Sequence, residues 1–280
     1  MTDGHIHIEA GPYTLEWIDQ FVTQALKAGL TEIRLLEHCY RFREFAPMYD
    51  SVEAYSPYAS DWVHRRVGVF PLSAYLELID RARQREYPIT VKFGLEICYF
   101  REQEKLIAAQ TAGRGFDFLL GSIHFVDAFP FDHKPELWNG LDVDSIYKRY
   151  FEDSVCLARS GLFDGIGHPD TIKLFGHRPS YPLTDQYEAL AQALAQAGMY
   201  ADLNSGAARR YPKTATLGIE PEFLRILKRY GVPLITSSDA HCPQDVGSGI
   251  RELLKRAGME PQASSQATHQ PEKPEDDHAS

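Results

Sequence analysis

No apolar run in the chain approaches the roughly 18 residues that a membrane-spanning helix needs. The N-terminus starts on a polar, histidine-bearing segment with no basic stretch ahead of an apolar one. No signal peptide is therefore expected, and a cytoplasmic location follows by default. Basic residues are in deficit, with 29 Lys and Arg against 39 Asp and Glu and a formal net charge of −10. Such a balance argues against wrapping nucleic acid, which needs a basic face. A small phosphorylated molecule remains an accessible partner if metals or local arginines supply positive charge. Cysteine is scarce: Cys39, Cys98, Cys156 and Cys242 are scattered and form no C-x-x-C pair. That spacing excludes a disulfide framework and reads as buried free thiols. Nothing in the pattern signals an oligomeric state.

With 280 residues, 44% of them hydrophobic, the chain can build one large core. Short apolar runs alternate with longer amphipathic ones. Strands are expected at Gly4–Ile8, Glu32–Glu37, Thr90–Ile97, Phe116–Ile123, Phe163–Gly167, Met199–Asn204 and Pro233–Ser237. Helical periodicity marks Thr14–Ala28, with Trp17, Ile18, Phe21, Val22, Ala25 and Leu26 on one face. Further helices are expected near Leu72–Arg85, Glu102–Thr111, Val143–Arg159, Thr184–Gln196, Glu220–Arg229 and Gln244–Arg256, many of them followed by a glycine suited to a C-terminal cap. Strands alternating with helices predict a parallel α/β sheet, closed or nearly closed into a barrel, with a doubly wound open sheet as the other solution. Two long insertions, Tyr40–Phe70 and Val126–Asp142, are rich in aromatics and follow histidine-bearing strand ends, as pocket-shaping loops do. From Glu260 to Ser280 the composition turns polar with three prolines and no large apolar residue. This tail is expected to be disordered, with the folded body spanning 1–259.

The chemistry lies in where the remaining histidines fall. His5 and His7 end the first expected strand, His38 the second, Glu96 the third, His124 the fourth and His168 the fifth; Asp239 and His241 follow the seventh. In an α/β barrel the C-terminal strand ends converge on one face, so residues distant in sequence should meet there. His-x-His on a strand puts both imidazoles on one side. Imidazole with carboxylate suits Zn, Mn or Fe, and Glu96 can bridge two ions. So many donors at independent strand ends imply a site for more than one metal. Isolated His64, His133 and His177 read as ordinary loop residues.

The ordered series D-x-H-x-H, E-H, G-x-E, G-S-x-H, G-H-P-D and S-D-A-H, running from Asp3 to His241, resembles the polymerase-and-histidinol-phosphatase (PHP) superfamily. The resemblance implies a distorted (β/α)7 barrel with a metal site at the C-terminal ends of the strands, holding three divalent metal ions. It implies one ion on His5, His7, Glu96 and Asp239, a second on His38 and His168, and a third on Glu96, His124 and His241. The second usually takes a ligand a few residues past the H-x-H pair, where Glu9 is the nearest candidate. Tyr147–Phe175 and Ala201–His241 resemble the histidinol-phosphatase branch, which dephosphorylates L-histidinol phosphate in histidine biosynthesis. A phosphoesterase of another small phosphate (nucleotide or sugar), or a partner-binding barrel without catalysis, are the alternatives. Asp239 and His241 are the candidates for proton transfer. Arg209, Arg210 and, more remotely, Arg43 are candidates for the substrate phosphate. Asn204, at a strand end, could orient a ligand or cap the loop behind it.

Overall fold

The computed structural model describes residues 1–259; the polar stretch 260–280 lies outside them. Seven parallel strands follow one another around the sheet in sequence order: β1 (Thr2–His7), β2 (Glu32–Leu36), β3 (Thr90–Cys98), β4 (Phe118–Ser122), β5 (Gly165–Ile166), β6 (Tyr200–Asn204) and β7 (Leu234–Ser237). The ring closes where His7 N–H donates to the Ala240 carbonyl at 2.8 Å and Thr236 Oγ1 to the Thr2 carbonyl at 2.7 Å. The fold is a distorted (β/α)7 barrel. An open doubly wound sheet is thereby excluded, because its strand order would not run in sequence from edge to edge.

Around the barrel lie α1 (Leu15–Ala28), α2 (Asp50–Tyr55), α3 (Pro57–Arg66), α4 (Leu72–Arg83), α5 (Glu104–Thr111), α6 (Val143–Arg159), α7 (Thr184–Ala197), α8 (Gly206–Arg210), α9 (Pro221–Arg229) and α10 (Ile250–Arg256). In α1 the Thr14 side chain accepts from Trp17 N–H at the start, and Ile18, Phe21, Val22 and Ala25 are buried. Leu26 falls at the edge of the apolar stripe and stays 48% exposed. The insertion 40–70 is not simply a loop: it carries α2 and α3, the latter started by Ser56 accepting from Ala59 N–H at 3.2 Å with Pro57 in the first turn. The last helix begins six residues later than its pattern suggests. Gly247 and Gly249 take left-handed backbone (φ 79 and 76), which ends helical continuity upstream of Ile250. Among the described residues no helix is long and apolar enough to cross a membrane.

Alternate strand positions grade from apolar to polar along the barrel axis. Leu36, Phe118, Leu120 and Tyr200, backed by Ile235, form a separate apolar cluster, with Arg34 lying over the Phe118 and Tyr200 rings. Two residues further along the same strand faces come His38, Ser122 and Asp202. The period of two in each strand thus delivers an apolar plug at one end and a polar floor at the other. Gly94 leaves the space that the Phe118 ring fills; a Cβ there would lie 2.5 Å from Phe118 Cζ.

Candidate metal centre

The polar end holds the strand-end donors. Isolated bridges His38–Glu96 and Ile6–Ala240 extend the strand pairing up to this level, so the donors inherit their positions from the sheet. His5 Nε2 and His7 Nε2 are 2.9 Å apart, both aimed at one point. Glu96 sits at the middle. Its Oε1 lies 3.6 Å from His5 Nε2, 3.6 Å from His124 Nε2 and 3.1 Å from His168 Nε2. Its Oε2 lies 3.4 Å from His7 Nε2 and 2.7 Å from His38 Nδ1. Asp239 Oδ1 completes the first set at 3.6 Å from His7 Nε2 and 3.9 Å from His5 Nε2. Tetrahedral coordination at about 2.0–2.1 Å spaces donor atoms about 3.3 Å apart, so most of these separations suit donors to a shared ion.

Three donor groups emerge: His5, His7 and Glu96; His7, Glu9, His38 and His241; Glu96, His124 and His168. Two histidines exchange places relative to the sequence expectation. His241 Nε2 faces Glu9 Oε1 at 3.5 Å and so joins His38, whereas His168 joins Glu96 and His124. The reason is topological: β5 follows β4 around the ring and brings His168 beside His124, while the turn after β7 passes next to β1 and brings His241 to Glu9. Glu9 belongs to the cluster, its Oε2 lying 3.7 Å from His7 Nδ1.

The donor set fits divalent cations on its own chemistry. Buried atoms His7 Nδ1, Glu9 Oε2 and His168 Nδ1 have no hydrogen-bond partner among the described residues, an arrangement that burial makes costly unless something else binds there. Burial pushes the Glu96 carboxyl up, but the imidazoles of His5, His124 and His38 outweigh it and hold Glu96 well below the usual carboxylate range. Burial likewise raises Asp239, and Arg210, His5 and His241 overcome it and keep it ionised. Burial, with the neighbouring His38 and His241, drives His7 well down, and burial brings His124 to about 3. Both rings are thus neutral, the form that ligates a metal. For His5, burial is outweighed by Glu96 and Asp202, which raise the ring; a cation competes with that proton for the same nitrogen.

A supporting layer fixes the donors. Asp202, on β6, accepts from His5 Nδ1 at 3.0 Å, His168 N–H at 3.3 Å and Asn204 Nδ2 at 3.0 Å, and from the Ser237 hydroxyl. Its hold on Nδ1 turns His5 Nε2 toward the site. Ser122 Oγ donates to Glu96 Oε1 at 2.7 Å. Asn204 does both things expected of it: it donates to Asp202, and its Oδ1 accepts from Gly206 N–H at 2.7 Å. Two donors sit on left-handed backbone without being glycine, His168 (φ 29) and Asp239 (φ 52). Such geometry costs about 1–3 kcal/mol each and concentrates at functional sites. It is offset at Asp239 by the Arg209 Nη2 bond to its carbonyl (3.1 Å) and by Gly206, where a Cβ would lie 2.6 Å from Asp239 Cβ.

The arginines divide. Arg209 turns its guanidinium to the backbone, donating to the Ser238 and Asp239 carbonyls at 3.1 Å each, and does not line the cavity. Its place among substrate ligands is corrected to a brace for the Asp239 turn. Arg210 lines the cavity and donates to Asp239 Oδ2 at 2.6 Å. Arg43 is exposed, beside Gly68, and does not line the cavity, so its candidacy is also corrected: its main chain is tied to Phe70, which turns it outward. His64 pairs with Glu53 at 3.1 Å on the exposed side of α3, and His177 stacks on Trp138, both away from the donors. His133, read from sequence as an ordinary loop residue, lines the cavity together with Asp132.

That cavity, about 240 Å³, opens over the donors. Its wall is drawn from both insertions, with Tyr40 and Trp62 from the first and Asp132 and His133 from the second, and with Phe125 just ahead of the second.

The family model described as "PHP domain" matches residues 3–206, and one described as "PHP-associated" matches 223–263. The chain is 28% identical over 260 residues to a Deinococcus radiodurans protein named "Probable histidinol-phosphatase", covering 91% of this chain and 92% of that one. It is 25% identical over 279 residues to the histidinol-phosphatase of Bacillus subtilis, covering 91% and 98%. Among solved structures, histidinol phosphate phosphatase from Lactococcus lactis, complexed with zinc, L-histidinol and phosphate, superposes with a TM-score of 0.67 at 19% identity, covering 92% of this chain and 94% of that one.

Proposed function

The chain belongs to the PHP-domain family, and from that premise we propose that it is a metal-dependent phosphomonoesterase that hydrolyses L-histidinol phosphate to L-histidinol and phosphate in histidine biosynthesis. The observation that carries this reading is the convergence of eight donor side chains around Glu96, with Arg210 beside them in the same cavity. Relatives that share nearly the full length and carry the histidinol-phosphatase name support the substrate. The donor groups would hold up to three ions: His5, His7, Glu96 and Asp239 the first, Glu9, His38 and His241 the second, Glu96, His124 and His168 the third. Their imidazole and carboxylate atoms suit Zn, Mn or Fe.

Divalent ions bound there would acidify water and neutralise phosphate charge. The chain's own residues do the rest. Arg210, 44% exposed toward the cavity, offers its free N–H groups to phosphate oxygens as a planar fork. Asp239 Oδ2 is held by Arg210, and Oδ1 faces His5 and His7 as the ligand atom of the first set. Asp239 and His241 both stand as the groups for proton handling: His241 Nδ1 donates to the Asp239 carbonyl at 3.0 Å, which puts its basic lone pair on Nε2, facing Glu9. Tyr40, Trp62 and Phe125 exclude water from one wall. A non-catalytic barrel would be favoured by a missing ligand after the H-x-H pair, and the Glu9 carboxylate inside the cluster removes that support.

Phosphate release from L-histidinol phosphate, run beside nucleotide and sugar phosphates with added Mn and with chelator, tests the reading. Chelator-sensitive preference for L-histidinol phosphate is expected. Better turnover of another phosphate would keep the metal chemistry and replace the substrate, and no release from any of them with metal bound would overturn the enzyme reading.

A further inference from the structure

The imidazoles of the centre are not backed alike. His5 Nδ1 rests on the Asp202 carboxylate and His241 Nδ1 on the Asp239 carbonyl, each at 3.0 Å. In the set of Glu96, His124 and His168 the backing is of another kind. His168 Nδ1 has no hydrogen-bond partner among the described residues, and His124 Nδ1 lies 3.0 Å from the Cys98 sulfur. Cys98 is thus the one side chain among the described residues that stands behind a ring of this set.

Cys98 ends β3 two residues past Glu96, so the strand period puts both side chains on one face. It is 2% exposed. Its thiol is hydrogen-bonded in turn to the Cys39 thiol and the Tyr49 hydroxyl, and those two are 3.3 Å apart. Cys98 belongs to none of the donor groups. Its sulfur meets His124 at Nδ1, whereas Nε2 is the atom that faces Glu96 Oε1, at 3.6 Å. An ion on His124 Nε2 needs the lone pair there, which leaves the ring proton on Nδ1. Among the described residues, the Cys98 sulfur is the atom placed to receive it.

We infer that Cys98 is a positioning residue of the metal centre: its sulfur accepts the Nδ1 proton of His124, fixes the tautomer and rotation of that ring, and so aims Nε2 at the ion shared with Glu96 and His168. The inference rests on the metal-dependent reading of these donors. Cys98 adds no ligand and no bond-breaking step. Sulfur is a weak, uncharged acceptor, so the hold it supplies is that of a single ordinary hydrogen bond.

Three variants separate this role from packing. Cys98→Ser keeps an acceptor, Cys98→Ala removes it, and Cys98→Val fills the volume without one. Zinc content is measured against a buffered free-zinc series, with folding checked by circular dichroism. Cys98→Ala and Cys98→Val should each weaken one class of ion about 10-fold, the scale of one lost hydrogen bond behind a ligand, and Cys98→Ser should stay within about 3-fold of wild type. The weakened class should be the one that His168→Ala abolishes, and adding Cys98→Ala to His168→Ala should change the remaining classes by less than about 2-fold. If Cys98→Val does not fold, the Ala and Ser variants decide between them. A ranking by volume, with Val like wild type and Ser like Ala, would overturn the assignment, as would a loss in a class that His168→Ala leaves intact. Wild type that binds zinc yet releases no phosphate would overturn the phosphatase reading alone, because the zinc titrations still decide the role of Cys98.

Discussion

Replacing Asp202 with Asn is the sharpest probe of how the barrel loads its metals. Asp202 touches no cavity surface and is 2% exposed, yet its Oδ2 takes the His5 Nδ1 proton at 3.0 Å together with His168 N–H and Asn204 Nδ2. The amide oxygen of Asn can keep that three-donor position. The amide nitrogen then occupies the Oδ1 position, where the Ser237 hydroxyl reverses from donor to acceptor. The fold therefore loses about 1 kcal/mol, which for a chain of this size lowers the melting temperature by about 2–4 °C. The negative charge behind His5 is what disappears. A charge-assisted bond worth about 1.5–3 kcal/mol becomes an ordinary one, so affinity for the ion on His5 and His7 should drop about 10–100-fold. Metal content measured against a buffered free-zinc series should show one weakened class of site, with the Glu9, His38 and His241 set unmoved. A zinc titration that superposes on wild type would refute the claim that Asp202 tunes His5, and a uniform loss of all sites would show that the change damages the fold instead.

Three further outcomes follow from the same geometry. Glu96→Ala removes the carboxylate that contacts five imidazoles; phosphate release should fall about 1,000-fold or more with circular dichroism unchanged, and near-wild-type turnover would sink the bridging role. Arg210→Ala should raise KM about 10–100-fold through lost phosphate contacts, whereas Arg209→Ala, which removes a brace on the Ser238 and Asp239 carbonyls, should lower the melting temperature first; the reverse assignment of effects would exchange their roles. For metal-free protein, burial raises Asp132 to about 7 from an ordinary carboxylate value near 4, so the folded state holds a proton that the unfolded chain releases. Stability should then fall as pH rises from about 4 to about 7, and Asp132→Asn should be more stable than wild type at pH 8 and equal to it at pH 4, as read by urea unfolding; identical pH profiles would show that the carboxylate is not desolvated.

The barrel was legible because its signals are local and repeated. Each strand is a short apolar run, each long helix has a clear stripe, and the seven units alternate without interruption. What escaped has a physical cause in each case. Residues 50–66 carry α2 and α3, short helices whose stability comes from packing on the barrel rather than from a long periodic face. The sequence does contain their start signal, Ser56 followed by Pro57. The late start of α10 depends on two left-handed glycines, Gly247 and Gly249, inside a segment whose apolar pattern alone continues the helix.

The clustering of the strand-end histidines and acids was legible for a related reason: a strand end fixes which barrel face a residue occupies, and sequence shows strand ends. Grouping the donors by ion was not legible from the run of motifs, because it depends on ring closure. The turn after β7 lies against β1 only once the barrel shuts, and that closure is what brings His241 to Glu9. Asp202 illustrates the opposite situation, a residue whose signal was present and unread. It is an acid in the middle of the apolar run Met199–Asn204, with its side chain on the face that two residues later carries Asn204. Burying an ionised carboxylate inside a strand is too costly to occur without partners, so a lone acid at such a position already predicts a buried donor opposite it. His5, which needs an acceptor on Nδ1 to aim Nε2 at a metal, is that donor. The same reasoning marks Glu96, 1% exposed within β3, whose carboxylate faces His5, His7, His38, His124 and His168. Two acids buried within strands, Asp202 and Glu96, thus point to histidines of the site, whereas Asp3 in β1 accepts from Ser238 and Gly247 and holds the turn after β7.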